Sequence, residues 1–556
     1  MSLCWEESES SGDEIEDDDA DHLSYVGEAA YELLRKKHNR YWHDCWNVTS
    51  GSVVGELHQT PRSYGWNRKG DPMDGHDDWF PAKMCEIMSR TQYWCDVCSL
   101  GPPDGLFMEK FKEALGNIAK TAADKDNDKP IIIRMMFGNI VGMPVNCDAV
   151  IHELTADLDE DANIQLWVGA WRKGVSWNHA KIIAVDGRYL HTGGHNVWDR
   201  HYLKSDPVHD LSMELEGRVT HDGHLFANKQ WEFVEDQQSG IVGRAVSQLP
   251  DNVPTPLQIR VTVSEWPEGE AEEFPPIYRK SRVPHVGPVY GHVPIITMGR
   301  YGALLRSSRP SDDAIVAMLD SAETIIHMAL QDLGPITLPG LPGPIAVPGC
   351  VWPKAYLEAL GRGIWEKEID VEIIVSNPGS IPDNLSPTEA LYGNGWTCAT
   401  VAAQIIKTIK DQFEEVDDEE LRDKVRENLR VCYLRQRLGN EWSDGKTLGM
   451  HAKHFIIDDI AYYVGSQNLY IADLAEWGVL IDSPEYTLKA KQEYWDPLWR
   501  DSYTEEDCDV DDVMDGLDID RNGSTAWYHD EETRALMEQA QRSATCVPAD
   551  NSGMYD

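Results

Sequence analysis

Apolar residues recur along this chain with the spacings of strands and helices, and one order of these spacings occurs twice. In the first half, "QYWCDVCSL" (92–100) has the apolar run of a strand, "LFMEKFKEALGNIAK" (106–120) the periodicity of a helix, and "KPIIIRMMFG" (129–138) the continuous run of a buried parallel strand. The same order returns as "ETIIHMALQDLG" (323–334), "KAYLEALGRGI" (354–364) and "VEIIVSNPG" (371–379). The pattern predicts an α/β protein with a duplicated core.

Changes in composition divide the chain into five predicted parts. Residues 1–23 form an acidic tail that is expected to be disordered, and residues 24–245 form an N-terminal lobe. A Pro-rich stretch with little periodicity, residues 246–312, is predicted to connect this lobe to a C-terminal lobe at 313–503. Residues 504–556 are a second acidic segment, predicted to be a C-terminal extension.

Each predicted lobe carries the same chemically active residue types at the same spacing. The two stretches are "HAKIIAVDGRYLHTGGHN" (179–196) and "HAKHFIIDDIAYYVGSQN" (451–468). Both read as His, any residue, Lys, four residues, Asp, six residues, two small residues, any residue, Asn. The positions are His179, Lys181, Asp186, Gly193, Gly194 and Asn196 in the first lobe, and His451, Lys453, Asp458, Gly465, Ser466 and Asn468 in the second.

Strand geometry predicts what these spacings bring together. Residues i and i+2 of a strand face the same side, so each His is expected beside its Lys. Asp186-Gly187 is a hairpin-turn signal, and the returning strand would bring the Asn back to the His and Lys. Small residues next to the Asn are expected to let an oxyanion approach the backbone closely. The two lobes together would supply two His, two Lys and two Asn to one cleft.

A single motif of this kind has a structural alternative. One His and one Lys on an apolar strand are also typical of a hydrogen-bonded core histidine and a lysine whose stem lies along apolar surface. Two copies at one spacing, one in each half of a duplicated chain, favour the functional interpretation.

Charge narrows the classes of partner. The 556 residues contain 95 acidic and 50 Lys and Arg side chains, a formal net charge of -45. Because binding to nucleic acid and to anionic membranes relies on clustered cations, the composition opposes both. A zwitterionic interface, a small soluble substrate or a cation-bridged surface stays open as the partner. We find no apolar run long enough to cross a membrane and no secretory signal in the sequence as given, and therefore expect a cytoplasmic protein, or a secreted one if the sequence is a trimmed mature form.

Metal and redox sites are not favoured by the sequence. The 11 cysteines are scattered from Cys4 to Cys546, which does not suggest a disulfide framework, and the pair Cys95 and Cys98 is interpreted as core. Residues 518–529 match the first half of an EF-hand loop, but the twelfth position is His529, so an acidic turn is favoured over a calcium site.

The double motif resembles the two HKD motifs of the phospholipase D superfamily. Similarity to single-chain bacterial members of the actinobacterial type extends over residues 76–500, in segments that include "DPVHDLSMELEG", "VPIITMGRYG", "QDLGP" and "EWGVLIDSPE". The resemblance implies two duplicated α/β/α sandwich lobes with mixed β-sheets and an active site at their pseudo-twofold interface. It also implies a phosphatidyl substrate.

The resemblance further implies roles for the motif residues. His179 would be the nucleophile and His451 the general acid and base, while Lys181, Lys453, Asn196 and Asn468 would hold the phosphate oxygens. Asp210 and Glu476 would each orient one His, with Glu476 standing where the family usually has Asp. Asp186 and Asp458 are interpreted mainly as turn and scaffold residues, with direct chemistry as the alternative. Substrate contacts are expected from Gly193, Gly194, Gly465, Ser466 and Trp177.

The functional prediction is a phospholipase D that converts phosphatidylcholine or phosphatidylethanolamine into phosphatidic acid and the headgroup alcohol through a phosphohistidine. The expected partners are a phospholipid membrane surface or micelle as substrate and short alcohols as acceptors, with no nucleic acid, and the expected state is a monomer. No cofactor is required by this scheme, and assistance by Ca²⁺ at the interface stays open. The alternatives are a nuclease of the same superfamily and a non-catalytic lipid-binding module.

Overall fold

The chain is described here by a computed structural model. The described residues are 22–61, 79–124, 129–203, 207–240, 244–246, 249, 258–268, 274–283, 291–302, 309–337, 346, 351–380, 395–436, 439–442, 445–469 and 473–517. Within them the molecule is α/β, with two mixed β-sheets and helices on their faces.

The first sheet has nine strands. In spatial order they are β10 (Ile259–Trp266), β5 (Ile164–Lys173), β4 (Ile131–Gly138), β3 (Trp94–Ser99), β7 (Ile182–Val185), β8 (Tyr189–Gly193), β9 (Asp210–Gly217) and β2 (Ser52–Thr60), with β6 (Ser176–Trp177) paired to β5. Strands β3, β4 and β5 run parallel, and β7, β8 and β9 are antiparallel to their neighbours.

The second sheet has eight strands in a matching order. They are β1 (Trp46–Thr49), β11 (Ile295–Tyr301), β17 (Ala475–Asp482), β16 (Ala461–Gly465), β15 (Lys453–Ile457), β12 (Ile325–Leu330), β13 (Asp370–Val375) and β14 (Leu429–Tyr433). Here β12, β13 and β14 are parallel, and β15, β16 and β17 are antiparallel to their neighbours. The order β5-β4-β3-β7-β8-β9 is therefore repeated as β14-β13-β12-β15-β16-β17, which confirms the duplication.

Helices cover the outer face of each sheet. On the first sheet these are α2 (Trp79–Ser89), α3 (Gly105–Ala123) and α4 (Cys147–Thr155), with a short α5 (Asp199–Tyr202) near the edge. On the second they are α1 (Tyr25–His38), α7 (Pro310–Ser321), α8 (Lys354–Lys367), α9 (Cys398–Gln412), α10 (Asp418–Asn428) and α13 (Val510–Gly516). No described helix is both long enough and apolar enough to cross a lipid bilayer.

The inner faces of the two sheets share one core. Helix α6 (Val219–Ser239) and the segment formed by α11 (Pro484–Ala490), a π-helical turn (Lys491–Trp495) and α12 (Asp496–Ser502) pack there against both sheets. Because β4 and β12 are covered on both faces, their side chains are almost all buried, which explains why these strands read as unbroken apolar runs.

Several segments of the chain pack on a different lobe from the one that the predicted boundaries gave them. Helix α1 and strand β1 precede the first sheet in sequence but pack on the second, where β1 pairs with β11. The predicted connection, residues 246–312, contains β10 at an edge of the first sheet and β11 inside the second. Strand β11 is buried at every residue, so it shows no alternation that a sequence pattern would reveal. In the predicted acidic extension, α13 buries Val513 and Met514 in the second lobe.

Several local predictions are confirmed. Asp186 and Gly187 both have positive φ (54° and 62°) in the three-residue turn 186–188 between β7 and β8, where the Arg188 amide donates to the Val185 carbonyl (2.9 Å). Cys95 and Cys98 are free thiols buried in β3, and burial raises the pKa of both. The EF-hand-like stretch 518–529 and residues 1–21 of the tail lie outside the described residues.

Candidate active site

The two motifs meet where the sheets face each other, and backbone hydrogen bonds between the lobes align them. The His179 amide donates to the Ala475 carbonyl (2.8 Å), and the His451 amide donates to the His209 carbonyl (2.7 Å). Ala475 and His209 each directly precede a carboxylate residue, Glu476 or Asp210. Each His therefore lies just before its own strand and is held beside the start of a strand from the other lobe.

Each catalytic candidate His is paired with the carboxylate of the opposite lobe. Nδ1 of His179 lies 2.8 Å from Oε2 of Glu476, and Nδ1 of His451 lies 2.8 Å from Oδ2 of Asp210. A carboxylate on Nδ1 keeps the proton on that nitrogen and leaves Nε2 as the nucleophilic atom. The two imidazole rings face each other edge to face, with centroids 6.3 Å apart.

Glu476 is held by two groups. Ser466 Oγ donates to Oε2 of Glu476 (2.6 Å), and Nη2 of Arg300 lies 3.8 Å from Oε1. Arg300 is buried in β11 and also binds Asp312 (2.8 Å). The longer Glu side chain is therefore fixed at both carboxylate oxygens.

Asp210 is held by neutral donors. The Tyr202 hydroxyl donates to Oδ2 of Asp210 (2.9 Å), and the Leu211 amide donates to Oδ1 (2.8 Å). Tyr202 also accepts a hydrogen bond from the Asn196 amide (3.0 Å). This hydroxyl thus links the carboxylate of one half of the site to the Asn of the first motif.

The two motif lysines are buried next to the histidines. Lys181 Nζ donates to the His179 carbonyl (2.6 Å), and Lys453 Nζ donates to the His451 carbonyl and to Oε1 of Gln331 (3.3 Å). Lys181 and Lys453 are 3% and 1% exposed. Two buried ammonium groups at one interface are costly unless anions offset them, and they provide a ready site for an anionic ligand.

The asparagines and small residues of the motifs have distinct surroundings. Asn196 is fully buried, and neither its amide oxygen nor its amide nitrogen has a hydrogen-bond partner among the described residues. Asn468 is also buried. A Cβ at Gly194 would overlap Oδ1 of Asp210, and one at Gly465 would overlap the Tyr463 hydroxyl. Both small residues were expected to leave space for an oxyanion of the substrate. Instead, Gly194 leaves space for the Asp210 carboxylate, and Ser466 donates a hydrogen bond to Glu476.

Gly193 and Trp177 were also expected to contact substrate, but each lies against a neighbouring strand. Gly193 has φ 151°, and a Cβ there would overlap Ser212 of the neighbouring strand. Trp177 is half-buried in β6 and is paired with Arg172 of β5.

Burial controls the protonation of the site. It lowers the pKa of His179 to about 4, although Glu476 acts in the opposite direction. Burial also lowers the pKa of Lys181 to about 8, against the opposing effect of Glu476 and Asp210. The pKa values of His451 and Lys453 are lowered by burial and by the nearby lysine charges. At neutral pH His179 is therefore neutral, the form that acts as a nucleophile.

The carboxylate partner of His179 stays ionised. Burial by itself would raise the pKa of Glu476, but His179 and the Arg300 guanidinium outweigh burial and lower it. An ionised Glu476 can stabilise an imidazolium at His179 when the ring acquires a positive charge during a reaction.

The motif aspartates hold the hairpins to the parallel strands. Asp186 accepts hydrogen bonds from the amides of Gln92, Tyr93 and Trp94 at 2.6–2.8 Å. Asp458 accepts from the equivalent amides at the start of β12, those of residues 323–325, at 2.6–2.8 Å. Both lie at the hairpin turns, at the far ends of β7 and β15 from His179 and His451, as the scaffold interpretation predicts.

A cavity of about 600 Å³ opens onto both histidines. His179, His451 and Gln331 line it together with three charged residues, Asp104, Glu153 and Arg200. The remaining wall is mainly apolar and includes Leu100, Pro102, Pro103, Met108, Ile140, Met143, Pro144, Val145, Ala149, Val150 and Trp198. No group of three or more His, Cys, Asp or Glu in the described ranges is arranged to hold a metal ion.

Three supporting residues were not predicted from the sequence. Arg300 is a charged residue inside an apolar strand, and Gln331 follows another, so a polar residue at a buried strand position was the available signal. Tyr202 lies on the short helix α5 and has no comparable signal.

Sequence and structure comparisons relate the chain to several known proteins. No family model matches the chain. The chain is 23% identical over 497 residues to a phospholipase D from Streptomyces antibioticus, an alignment that covers 82% of each protein.

Two solved structures share only a low overall similarity with the chain. A phosphatidylserine synthase from Haemophilus influenzae Rd KW20 has a TM-score of 0.47 at 11% identity, covering 94% of this chain and 98% of that one. Nuc, a phospholipase D family member from Salmonella typhimurium, has a TM-score of 0.21 at 15% identity, covering 38% and 97%.

Two cross-lobe pairs of His and carboxylate, with buried lysines beside them, define a phosphodiesterase-type enzyme. The double motif and the 23% identity to the Streptomyces enzyme make the chain similar to the phospholipase D superfamily.

Proposed function

We propose that this protein is a phospholipase D. It hydrolyses the distal phosphodiester bond of phosphatidylcholine or phosphatidylethanolamine to phosphatidic acid and the headgroup alcohol, and it transfers the phosphatidyl group to short primary alcohols.

The observation that supports this proposal is the cavity that both histidines share. Its wall is mainly apolar, and its charged lining residues are one Arg and two carboxylates. A polynucleotide would place further phosphates along this wall and would need more cations there. A phospholipid has a single phosphodiester, which suits the two lysines, and apolar chains, which suit the apolar wall. Its cationic headgroup suits Asp104 and Glu153.

The first chemical step uses His179 as nucleophile. Neutral Nε2 of His179 attacks phosphorus, the bond from phosphorus to the headgroup oxygen breaks, and His451 donates a proton to that oxygen. His451 acquires this proton as the substrate binds, because the anionic phosphodiester raises the pKa of this ring, which burial lowers. The products are the free headgroup alcohol and a phosphatidyl group bonded to His179.

The second step releases the phosphatidyl group. His451, now neutral, takes a proton from water, and the hydroxide oxygen attacks phosphorus and displaces His179. An alcohol can replace water in this step and gives a phosphatidylalcohol. Glu476 and Asp210 stabilise the imidazolium form of their histidines, while Lys181, Lys453, Asn196 and Asn468 hold the non-bridging oxygens, where donors placed in advance lower the barrier most.

Alcohol competition tests the covalent intermediate. With phosphatidylcholine as substrate, a few per cent of ethanol is expected to produce phosphatidylethanol at the expense of phosphatidic acid, with retained configuration at phosphorus after two inversions. Lipid products are resolved by ³¹P NMR, and a His179→Asn variant serves as the inactive control. Phosphatidic acid alone at every ethanol concentration, or inversion at phosphorus, would show that water attacks the lipid directly.

The proposed reaction needs no metal ion, because lysines and asparagines supply the phosphate contacts. Excess EDTA is therefore expected to leave turnover of a soluble phosphodiester such as bis(p-nitrophenyl) phosphate unchanged. Loss of that turnover, restored by a divalent ion, would overturn the scheme. Added Ca²⁺ in the same assay on phosphatidylcholine vesicles measures any separate effect at the lipid interface.

A further inference from the structure

An apolar loop, residues 140–145, projects at the mouth of the active-site cavity. It connects β4 to α4 and reads Ile-Val-Gly-Met-Pro-Val, without an ionisable side chain. Val141 is 54% exposed and Met143 is 44% exposed. Only three other large hydrophobic side chains of the described residues are exposed to this degree, Val175, Val351 and Leu488, and they lie on separate segments.

The shape of the apolar loop is fixed by hydrogen bonds. The Met143 amide donates to the Ile140 carbonyl (3.1 Å) around Gly142, which has φ 84°. The Val145 amide donates to Oδ1 of Asn139 (3.1 Å), and Asn146 caps α4. The exposed side chains are therefore presented by a tight turn that is tied down at both ends.

The apolar loop is continuous with the active site. Ile140, Met143, Pro144 and Val145 line the cavity that also contains His179 and His451, whereas Val141 stands outside it at the tip. A phospholipid drawn fully out of a bilayer would expose its acyl chains to water. If the tip enters the membrane, those chains stay in apolar surroundings while the phosphate reaches the histidines.

We propose that the apolar loop docks the enzyme on a zwitterionic lipid surface and delivers the lipid phosphate to the cavity. This inference rests on the proposed function and adds the surface that the enzyme uses. Exposed apolar patches next to a ligand cavity are typical of interaction sites. The loop has no cation to attract anionic headgroups, and the chain carries a formal net charge of -45, so the favoured surface is neutral.

Vesicle binding tests the inference without catalysis. In the His179→Asn background, which leaves the lipid intact, binding to sucrose-loaded phosphatidylcholine vesicles is measured by co-sedimentation. Val141→Asp is expected to weaken the partition coefficient about tenfold, because it places a charge where an apolar side chain enters the bilayer. Val141→Trp is expected to strengthen it severalfold. Val351→Asp, at a site 57% exposed in the other lobe, carries the same charge change and is expected to have no effect.

Turnover separates this inference from the proposed function. With His179 intact, Val141→Asp is expected to hydrolyse bis(p-nitrophenyl) phosphate at the wild-type rate. Its rate of hydrolysis on phosphatidylcholine vesicles is expected to be about tenfold lower than that of the wild type. If phosphatidylcholine is not hydrolysed but binding still depends on Val141, the proposed function fails and docking stands. If Val141→Asp and Val351→Asp bind vesicles equally well, docking by this loop is overturned. A wild-type dimer that Val141→Asp dissociates, with unchanged vesicle binding, would make the loop an interface between two copies and also overturn it.

Discussion

The two halves of the active site hold equivalent histidines with different groups. His179 is paired with Glu476, whose carboxylate is held by the Ser466 hydroxyl and lies near the Arg300 cation. His451 is paired with a shorter residue, Asp210, held by the Tyr202 hydroxyl and a backbone amide. Both pairs nevertheless have the same Nδ1 to oxygen distance of 2.8 Å.

This comparison shows which feature of the active-site geometry is kept in both halves. The distance from Nδ1 of the ring to the carboxylate oxygen is the same in both halves, whereas the length of the acidic side chain and its supporting donors differ. Each acid directly follows the residue whose carbonyl accepts the amide of the opposing His, so the backbone sets the approximate position. The supporting donors then fix the final position of a long or a short side chain. The halves also differ in the charge next to the carboxylate, because among the described contacts only Glu476 has a guanidinium nearby.

The largest expected effect separates the roles of the two histidines. His179→Asn and His451→Asn are each expected to lower turnover of phosphatidylcholine by about 10⁴-fold or more. The turnover of the double variant should be no lower than that of the less active single variant. A p-nitrophenyl phosphodiester distinguishes them, because nitrophenolate leaves without a proton. Rapid-mixing absorbance should show a burst of one equivalent for His451→Asn and none for His179→Asn. A burst from His179→Asn alone would reverse the assignment.

Next in size are the carboxylates. Glu476→Gln and Asp210→Asn keep the side-chain volume but remove the charge that supports an imidazolium, and each is expected to lower kcat by about 10²-fold. Because Arg300 is left beside a neutral amide only in Glu476→Gln, that variant should also lose more stability in thermal unfolding than Asp210→Asn. Thermal melts and steady-state kinetics on the same preparations measure both. Equal melting temperatures would indicate that the guanidinium does not distinguish the halves.

A smaller effect is expected from pH. The pKa of Lys181 is lowered to about 8 by burial, against Glu476 and Asp210, so its charge is lost as the pH rises through 8. The rate constant kcat/KM on a soluble phosphodiester should therefore fall about tenfold per pH unit on the alkaline side above 8. Lys181→Arg, which stays charged, should remove that limb even if the overall rate is lower. An unchanged limb in Lys181→Arg would assign it to another group.

The smallest effect on turnover is expected from the motif aspartates. Asp186→Ala leaves three backbone donors without their acceptor and is expected to lower the free energy of unfolding by about 3 kcal/mol. Asp458 is half-exposed, so water can replace part of its carboxylate, but Asp458→Ala also removes the acceptor of the Tyr25 hydroxyl and of Thr324 Oγ1 and should therefore cost a similar amount. Urea denaturation measures the two losses, and the folded fraction of each variant should keep near wild-type turnover. A 100-fold loss of kcat in a folded variant would give these aspartates a direct chemical role.

Local sequence patterns predicted the repeated strand, helix and hairpin elements, because periodicity and turn residues act over a few residues. The spacing of the motifs predicted that each hairpin carries His, Lys and Asn, and the resemblance supplied Asp210 and Glu476. The extended His and Lys positions were anticipated, although both histidines lie just before their strands rather than within them.

Only the tertiary structure decided which lobe each segment joins and how the motifs face each other. Strand β1 pairs with β11 almost 250 residues away, and each His is fixed by a carbonyl and a carboxylate of the opposite lobe. Such contacts depend on how two sheets pack, so no local pattern encodes them. For the same reason, the sequence did not predict the contacts of Arg300 and Tyr202 or the space that Gly194 leaves for Asp210. The sequence thus determined the chemical groups and their local geometry, while packing of the lobes determined their partners, their burial and their protonation.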